Sequence, residues 1–292
     1  MISESIKVFL RSKPLRNTST AAVFDVINES TCKFKARNGK EELFAYDHVF
    51  TDDVSQEEVY DLVARPVVEK VCRGYAGTLL AFGPTNSGKT YSMRGPALPP
   101  SMPSQDSASY TVPEKGNGSP AKEGSFYQQR GIIPRCIEHI LSTIGSTGSI
   151  HISYLQIYCE VISDLLAPMS PSFSSSSFSS SDQVEELNAS LSIRERDGCV
   201  FVEGLRRLRV SNVQEVLDIL TMGDANRSTA CTNLNEFSSR SHAAVMITVS
   251  MPEEETEGEK GEKDKEQVKG KKEERRVRES SLVLVDLAGS ER

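Results

Sequence analysis

A glycine-rich segment of the chain has residue types and spacing suited to phosphate binding. It matches the pattern G-x-x-x-x-G-K-[ST] and consists of Gly83, Pro84, Thr85, Asn86, Ser87, Gly88, Lys89 and Thr90. In such a loop the glycines let backbone N–H groups point at a polyphosphate, the lysine brings a charge to the outer phosphates, and the last hydroxyl ligates Mg²⁺. The segment predicts a nucleotide site, and the alternative is a chance glycine-rich turn.

A second segment, near residue 290, suits the sensing of a metal-bound phosphate. The apolar run 282–285 predicts a buried strand, which leads into Asp-Leu-Ala-Gly-Ser-Glu at residues 286–291. With this spacing Asp286 can hold Mg²⁺ through water while the Gly289 N–H meets the terminal phosphate. GTPases share the D-x-x-G spacing, but the sequence has no Asn-Lys-x-Asp guanine-reading motif, which favours ATP.

The elements that must position these loops alternate as in an α/β fold. The apolar run 77–82 predicts a buried strand that feeds the glycine-rich loop. Further strands are predicted at 23–27, 32–36, 42–46, 151–158, 162–166 and 243–249, with a hairpin at Asn38-Gly39. A capping box, Ser55-x-x-Glu58, predicts the start of a helix that Pro66 should bend, and residues 213–222 predict a short amphipathic helix that ends before Gly223, Asn226 and Arg227.

The motifs resemble those of the kinesin motor domain in type and order. The family's first switch, N-x-x-S-S-R-S-H, is matched at residues 235–242, and its second switch, D-L-A-G-S-E, at 286–291. Other segments that are similar to the family lie at residues 6–15, 55–60, 74–78 and 131–135. The resemblance spans the chain apart from three insertions. It implies an α/β P-loop NTPase with a central, mostly parallel or mixed sheet flanked by helices.

Two local departures from the family's pattern affect the nucleotide loop. Pro84 stands where the family more often has Gln, and Lys13 where it often has Arg. Pro84 removes one N–H from the loop, which we expect to be tolerated because the phosphate-facing donors lie mostly further along. The resemblance also implies that Arg11 and Pro14 border the adenine, together with Tyr75 or Tyr91. Plain packing is an equal alternative for either tyrosine.

By the same resemblance, the two switches supply catalytic residues. Ser239 joins Thr90 and Asp286 at the Mg²⁺ when the first switch closes. Ser238 and Glu291 orient the attacking water.

A latch between Arg240 and Glu291 is also implied, and it would order both loops. The alternative for that pair is an exposed ion pair that contributes little to stability.

Three segments, at residues 96–127, 168–186 and 252–279, read as loop insertions in the motor domain of residues 1–292. They are rich in Pro, Ser and Gly, in Ser, or in mixed charges, and none can bury enough apolar surface to offset its ordering entropy. We predict mobile spacers. The alternative is a regulatory or partner-binding site, with the serine tract as a phosphorylation target. The long second insertion is similar to those of cell-division kinesins.

Composition restricts the other function classes. The formal net charge is −7 and the six cysteines are scattered, without a CxxC pair, which predicts reduced, buried thiols and no structural zinc. No apolar run is long enough to cross a bilayer. We expect no nucleic-acid partner and no membrane insertion.

The resemblance implies an ATP-dependent microtubule motor in the cytoplasm, on microtubules and on the spindle. Its cofactors are ATP and Mg²⁺, and it would dimerise through a downstream coiled coil. We expect that the family's main microtubule-contacting helices and a central strand are missing, which would leave the 292 residues unstable alone. The alternative is a non-motile truncated or scaffold product that keeps the nucleotide motifs.

Overall fold

The computed structural model describes residues 5–14, 24–36, 38–96, 128–167, 191–196, 199–229, 240–252 and 277–291. These residues form two compact units. The first unit draws on Met1–Pro66 and Thr85–Ile132, and the second on Val67–Pro84 and Ile133–Arg292. Most of the three predicted insertions, and residues 235–239 of the first switch, lie outside the described residues.

Strands dominate the described secondary structure. The strands are β1 Phe9–Arg11, β2 Phe24–Asn28, β3 Thr31–Lys35, β4 Glu41–Ala45, β5 His48–Phe50, β6 Gly77–Ala81, β7 Ser149–Tyr158, β8 Val161–Asp164, β9 Ser192–Arg196, β10 Cys199–Glu203, β11 Leu208–Val210, β12 His242–Pro252 and β13 Val277–Asp286. The helices are α1 Gln56–Val59, α2 Arg65–Cys72, α3 Lys89–Arg94, α4 Ile132–Ile144 and α5 Val213–Thr229, with a π-helical turn, Tyr60–Ala64, between α1 and α2.

The first unit contains two small sheets. β1 and β5 pair in parallel, and β2, β3 and β4 form an antiparallel sheet in that order. The turn between β3 and β4 forms at the predicted hairpin, where Gly39 has a φ of 78° and donates its N–H to Ala36 O at 2.8 Å. The three strands predicted from the sequence are therefore confirmed to within one residue at each end.

The predicted capping box opens α1. The Glu58 N–H donates to Ser55 Oγ at 3.1 Å, and Glu58 Oε2 accepts from the Ser55 N–H at 2.9 Å. Before Pro66 the helix widens into the π-helical turn, in which the Arg65 N–H donates to Tyr60 O. Pro66 has no N–H to continue the regular α-helical pattern, and the wider turn lies immediately before it. The bend itself stays a prediction.

A mixed sheet forms the centre of the second unit, in the order β11-β7-β12-β13-β6, with β8 also paired to β7. Only the β13–β6 pair is parallel among these described strands. The expectation of a mixed sheet is confirmed, whereas "mostly parallel" is wrong here. The reason is that β7, β12 and β13 run next to one another as antiparallel neighbours.

One face of this sheet is packed under helices. Leu79, Leu284, Val245 and Tyr154 lie opposite one another in register across four strands, and the last three are almost fully buried. A β-carbon on Gly77 would lie 2.5 Å from Val67 Cγ1 and 3.1 Å from Val71 Cγ2, so α2 presses directly on β6. The glycine at the start of β6 permits that close approach.

The other face of β6 is exposed, so the prediction of a buried strand is wrong for that face. The Leu80 side chain is 61% exposed, and Phe82, just after the strand, is 76% exposed. β6 is the outer strand of the sheet within the described residues. A continuous apolar run is typical of strands covered on both faces, but here only alternate side chains are covered.

Two further boundaries differ from the sequence prediction. Helix α5 continues to Thr229, so Gly223, Asn226 and Arg227 are helical and do not follow the helix. The third insertion is shorter than predicted at both ends, because Pro252 pairs with Val277 and the ladder continues through the next residues of β13. Backbone pairing extends the strands there although the side chains are polar or charged.

Four of the described cysteines are free thiols, as expected, but they are not all buried. Cys32 and Cys136 are buried, Cys72 is half-buried and Cys159 is exposed. The prediction is therefore wrong for Cys159, which lies in the turn between β7 and β8 with a φ of 46°. Among the described helices, none is both long and apolar enough to span a bilayer.

Candidate functional site

The glycine-rich loop has the unusual backbone that phosphate loops require. Gly83, Asn86 and Gly88 have φ angles of 150°, 63° and 100°. A β-carbon on Gly88 would meet nothing within 4 Å, so its backbone conformation and not lack of space calls for glycine. Helix α3 begins directly afterwards at Lys89. The predicted order of strand, glycine-rich loop and helix is confirmed.

Within the first unit, the loop is tied to the segment after β1. Lys13 Nζ donates a hydrogen bond to Asn86 O. This carbonyl belongs to the residue with left-handed backbone, a conformation that asparagine tolerates better than most residues. The end of the Lys13 side chain thus holds the Asn86 carbonyl of the loop.

Arg11 lies at the centre of a polar cluster in the first unit. Its Nη1 donates to Gln56 Oε1 at 2.7 Å and to Ser92 Oγ at 2.8 Å, and its Cζ lies 5.5 Å from the centre of the Tyr91 ring. Burial lowers the pKa of the guanidinium. The structure therefore brings together two of the residues predicted to border the adenine, Arg11 and Tyr91.

The other predicted adenine neighbours are placed differently. Pro14 is exposed in the first unit. Tyr75 belongs to the second unit and its side chain is 64% exposed. Within the first unit Tyr91 contacts Arg11. The assignment of either tyrosine to the adenine stays a prediction.

Gln56 is a member of the Arg11 cluster that the sequence did not indicate. It is 4% exposed, and its Nε2 donates to Tyr91 O at 2.7 Å and to Gln129 O at 3.2 Å. The capping box signalled a helix start at this position, but nothing in the local pattern indicated that the side chain would turn inward to Arg11.

In the second unit, three of the predicted motifs meet. β13 ends at Asp286, and the residues that follow donate backbone N–H groups to fixed acceptors. Leu287 donates to Ala81 O at 3.2 Å and Ser290 to Gly83 O at 3.1 Å. The second switch is thereby attached to the end of β6 and to the first residue of the phosphate loop.

The same segment contacts the last residue of the first switch. The Ala288 N–H donates to His242 Nδ1 at 3.1 Å. Gly289, between Ala288 and Ser290, donates its own N–H to no acceptor among the described residues. A backbone donor is thus left available at the position predicted to meet the terminal phosphate.

Arg227 makes a second connection to the first switch that the sequence analysis missed. From α5 its Nη2 donates to Ser241 O at 3.0 Å and to Ser241 Oγ at 2.9 Å. Ser241 is 1% exposed. The buried serine and its arginine fix the point at which the first switch enters β12.

The remaining catalytic assignments stay predictions. Ser238 and Ser239 lie outside the described residues, and Arg240 and Glu291 are exposed residues of the second unit. The proposed Mg²⁺ ligands Thr90 and Asp286 offer a hydroxyl and a carboxylate, which are the hard oxygen donors that Mg²⁺ prefers. The residue types therefore fit the metal.

Comparisons with known proteins agree on one family. The kinesin motor domain model matches residues 11–292. The chain is 38% identical over 261 residues to the kinesin-like protein KIN-UC of Arabidopsis thaliana, covering 89% of this chain and 20% of that protein. It is 33% identical over 300 residues to KIN-UA of Oryza sativa subsp. japonica, covering 98% of this chain and 26% of that protein. The chain thus spans about a fifth to a quarter of the length of these curated relatives.

A solved structure is similar over nearly the whole chain. It is that of a fast kinesin, described with implications for its ATPase mechanism and its interactions with microtubules. The match has a TM-score of 0.69 and 28% sequence identity, and it covers 99% of this chain and 66% of the other.

Proposed function

This chain belongs to the kinesin motor-domain family, and from that premise we propose that it binds Mg²⁺-ATP and hydrolyses it as the nucleotide-binding part of a microtubule motor. One observation carries the proposal. In the second unit, the second switch donates backbone hydrogen bonds to the first residue of the phosphate loop and to the last residue of the first switch. Such contacts allow one loop to respond to changes in the other two motifs.

The phosphate loop, the end of β1 with the segment after it, and the two switches supply the binding groups of this proposal. Lys89 neutralises charge on the β and γ phosphates, and the backbone of residues 85–88 donates to their oxygens. Arg11, Pro14 and Tyr91 border the adenine. Mg²⁺, held by Thr90, Ser239 and Asp286, would supply positive charge to the triphosphate when bound.

The second unit supplies the sensing group. The Gly289 N–H donates to the γ phosphate, and Ser238 and Glu291 orient the water that attacks it. When the phosphate leaves, Gly289 loses its acceptor while its neighbours keep theirs at Gly83 O and His242 Nδ1. The change at one backbone group is thereby passed to both neighbouring motifs.

Lys89→Ala tests nucleotide binding. We expect the Kd for Mg²⁺-ATP, measured by titration calorimetry, to rise about a hundredfold, because a charge-assisted contact to phosphate is lost. Lys40→Ala is the control, since Lys40 is an exposed lysine paired with Glu42. Equal ATP affinity in the parent chain and Lys89→Ala would contradict the assignment.

Microtubules are the partner in this proposal, and the place of action is the cytoplasmic microtubule array, including the spindle, with dimerisation through a coiled coil downstream. We expect polymerised tubulin to stimulate ATP hydrolysis by the protein in the form that occurs in the cell. Binding of ATP without any stimulation would instead support a non-motile product that keeps the nucleotide motifs.

A further inference from the structure

We propose that Gln56 is a positioning residue for recognition of the purine base: it fixes the Arg11 guanidinium against Tyr91 so that ATP is bound through its base as well as through its phosphates. The inference rests on the proposed nucleotide site, and it adds a residue outside the phosphate loop and the two switches. Ser92 has the same role in this proposal, because its Oγ accepts a hydrogen bond from the same guanidinium.

The hydrogen bonds of Gln56 leave its side chain a single orientation. Both amide hydrogens are used, one on Tyr91 O at 2.7 Å and one on Gln129 O at 3.2 Å. Its oxygen therefore has to point at Arg11, where it accepts from Nη1 at 2.7 Å. In a flipped amide, the NH₂ group would face the Arg11 guanidinium, donor against donor, and the oxygen would face the carbonyls of Tyr91 and Gln129, acceptor against acceptor. The hydrogen-bond partners therefore determine the orientation of the amide.

The backbone of Gln56 is fixed as well. It is the first residue of α1, immediately after the Ser55 N-cap, and the capping box with Glu58 holds that turn. At the far side, Gly131 N donates to Arg94 O at 3.1 Å, so the two chain segments that Gln56 reaches are joined to each other. The buried Gln56 side chain thus connects three segments of the first unit by hydrogen bonds.

Gln56 holds Arg11 through only one of the three guanidinium nitrogens. Nη1 is occupied by Gln56 and by Ser92 Oγ, but Nε and Nη2 donate to no acceptor among the described residues. Both of its tethers are neutral, and the described residues include no carboxylate within ion-pair distance of Arg11. A guanidinium that is fixed in plane, lies against an aromatic ring and keeps free N–H groups suits a planar, acceptor-rich base.

The contrast between ATP and inorganic tripolyphosphate separates base recognition from phosphate binding. In the protein in the form that occurs in the cell, Gln56→Leu should raise the Kd for Mg²⁺-ATP about tenfold and leave that for Mg²⁺-tripolyphosphate unchanged within about twofold. Ser92→Ala should have the same selective effect to a smaller degree, and it removes only a half-buried hydroxyl. Gln214→Leu, at a half-buried position of α5 outside the nucleotide motifs, is the control and should alter neither Kd.

Gln56→Glu distinguishes positioning from a purely structural role. It keeps an oxygen for Arg11 Nη1 but loses the donors to Tyr91 O and Gln129 O, so a positioning role predicts higher ATP affinity for Gln56→Glu than for Gln56→Leu. Equal or greater loss in Gln56→Glu would overturn the inference, as would an equal loss of both ligands in Gln56→Leu and Ser92→Ala. Failure of the unsubstituted protein, in the form that occurs in the cell, to bind either ligand would overturn the proposed function, and this inference with it.

Discussion

The backbone N–H groups of the second switch differ in their hydrogen bonding. The N–H groups of Leu287, Ala288 and Ser290 are occupied by Ala81 O, His242 Nδ1 and Gly83 O. Only the N–H of Gly289 among these neighbours is left for a ligand in the described structure. Because its neighbours are fixed, a phosphate that binds there meets a donor already held in place, which reduces the entropy cost of binding.

Removal of the Glu291 carboxylate tests its role in ATP hydrolysis. We predict that Glu291→Ala keeps ATP affinity within about twofold but slows a single turnover by about a hundredfold or more, because the latch and the positioned water are lost while the phosphate loop is intact. Rapid-quench measurement of ATP cleavage checks this. Glu57→Ala, at an exposed position of α1, should leave the rate at the parental value.

Hydrolysis by Glu291→Ala at the parental rate would contradict the proposed latch between Glu291 and Arg240. It would leave nucleotide binding by Lys89 untouched. The two substitutions therefore test separate steps.

At the scale of elements, the length of α5 is decided by its contact with β7. The sequence suggested that the helix ends before Gly223, because glycine weakens helices by about 1 kcal/mol relative to alanine. The structure places Gly223 inside the helix, where a β-carbon would lie 2.2 Å from Tyr154 Cδ1. Glycine is there because the helix has to approach the Tyr154 ring, not because the helix ends.

Gly223→Ala tests this explanation. On helix propensity alone the substitution should stabilise the protein, but the clash predicts that the free energy of unfolding falls by about 1–3 kcal/mol. Urea denaturation followed by circular dichroism measures it. In a Tyr154→Leu background the cost should shrink, since the ring is gone, and an unchanged cost there would show that the strain comes from another contact.

At the scale of the whole molecule, the thiols report which parts of the chain are packed. Cys136 in α4 is fully buried, and burial raises the pKa of its thiol, whereas Cys159 is exposed in the β7–β8 turn. The thiolate is the reacting species, so both burial and the raised pKa protect Cys136.

We predict that a maleimide labels Cys159 about a hundredfold faster than Cys136 in the native protein, as measured by peptide mass spectrometry over time. Raising the pH from 7 to 9 should leave labelling of Cys136 slow, because its raised pKa keeps the thiol protonated over that range. In urea the two rates should converge, and similar native rates would mean that α4 is not packed as described.

The sequence by itself determined the parts of this protein that depend on neighbours in the chain. The phosphate loop needs glycine and asparagine at positive φ, the capping box needs Ser55 and Glu58 three residues apart, and the strands need alternating or continuous apolar residues. These are local requirements, so residue type and spacing reveal them. They were enough to predict the loops, most of the strands and the family.

Only the tertiary structure decided the features that depend on residues far apart in sequence. Gln56 meets Arg11 across 45 positions, and Ala288 meets His242 across 46. The exposed face of β6 and the continuation of α5 past Gly223 likewise depend on which elements lie beside them. Such pairings follow from how the sheet and helices pack, and no local pattern of residue types contains that information.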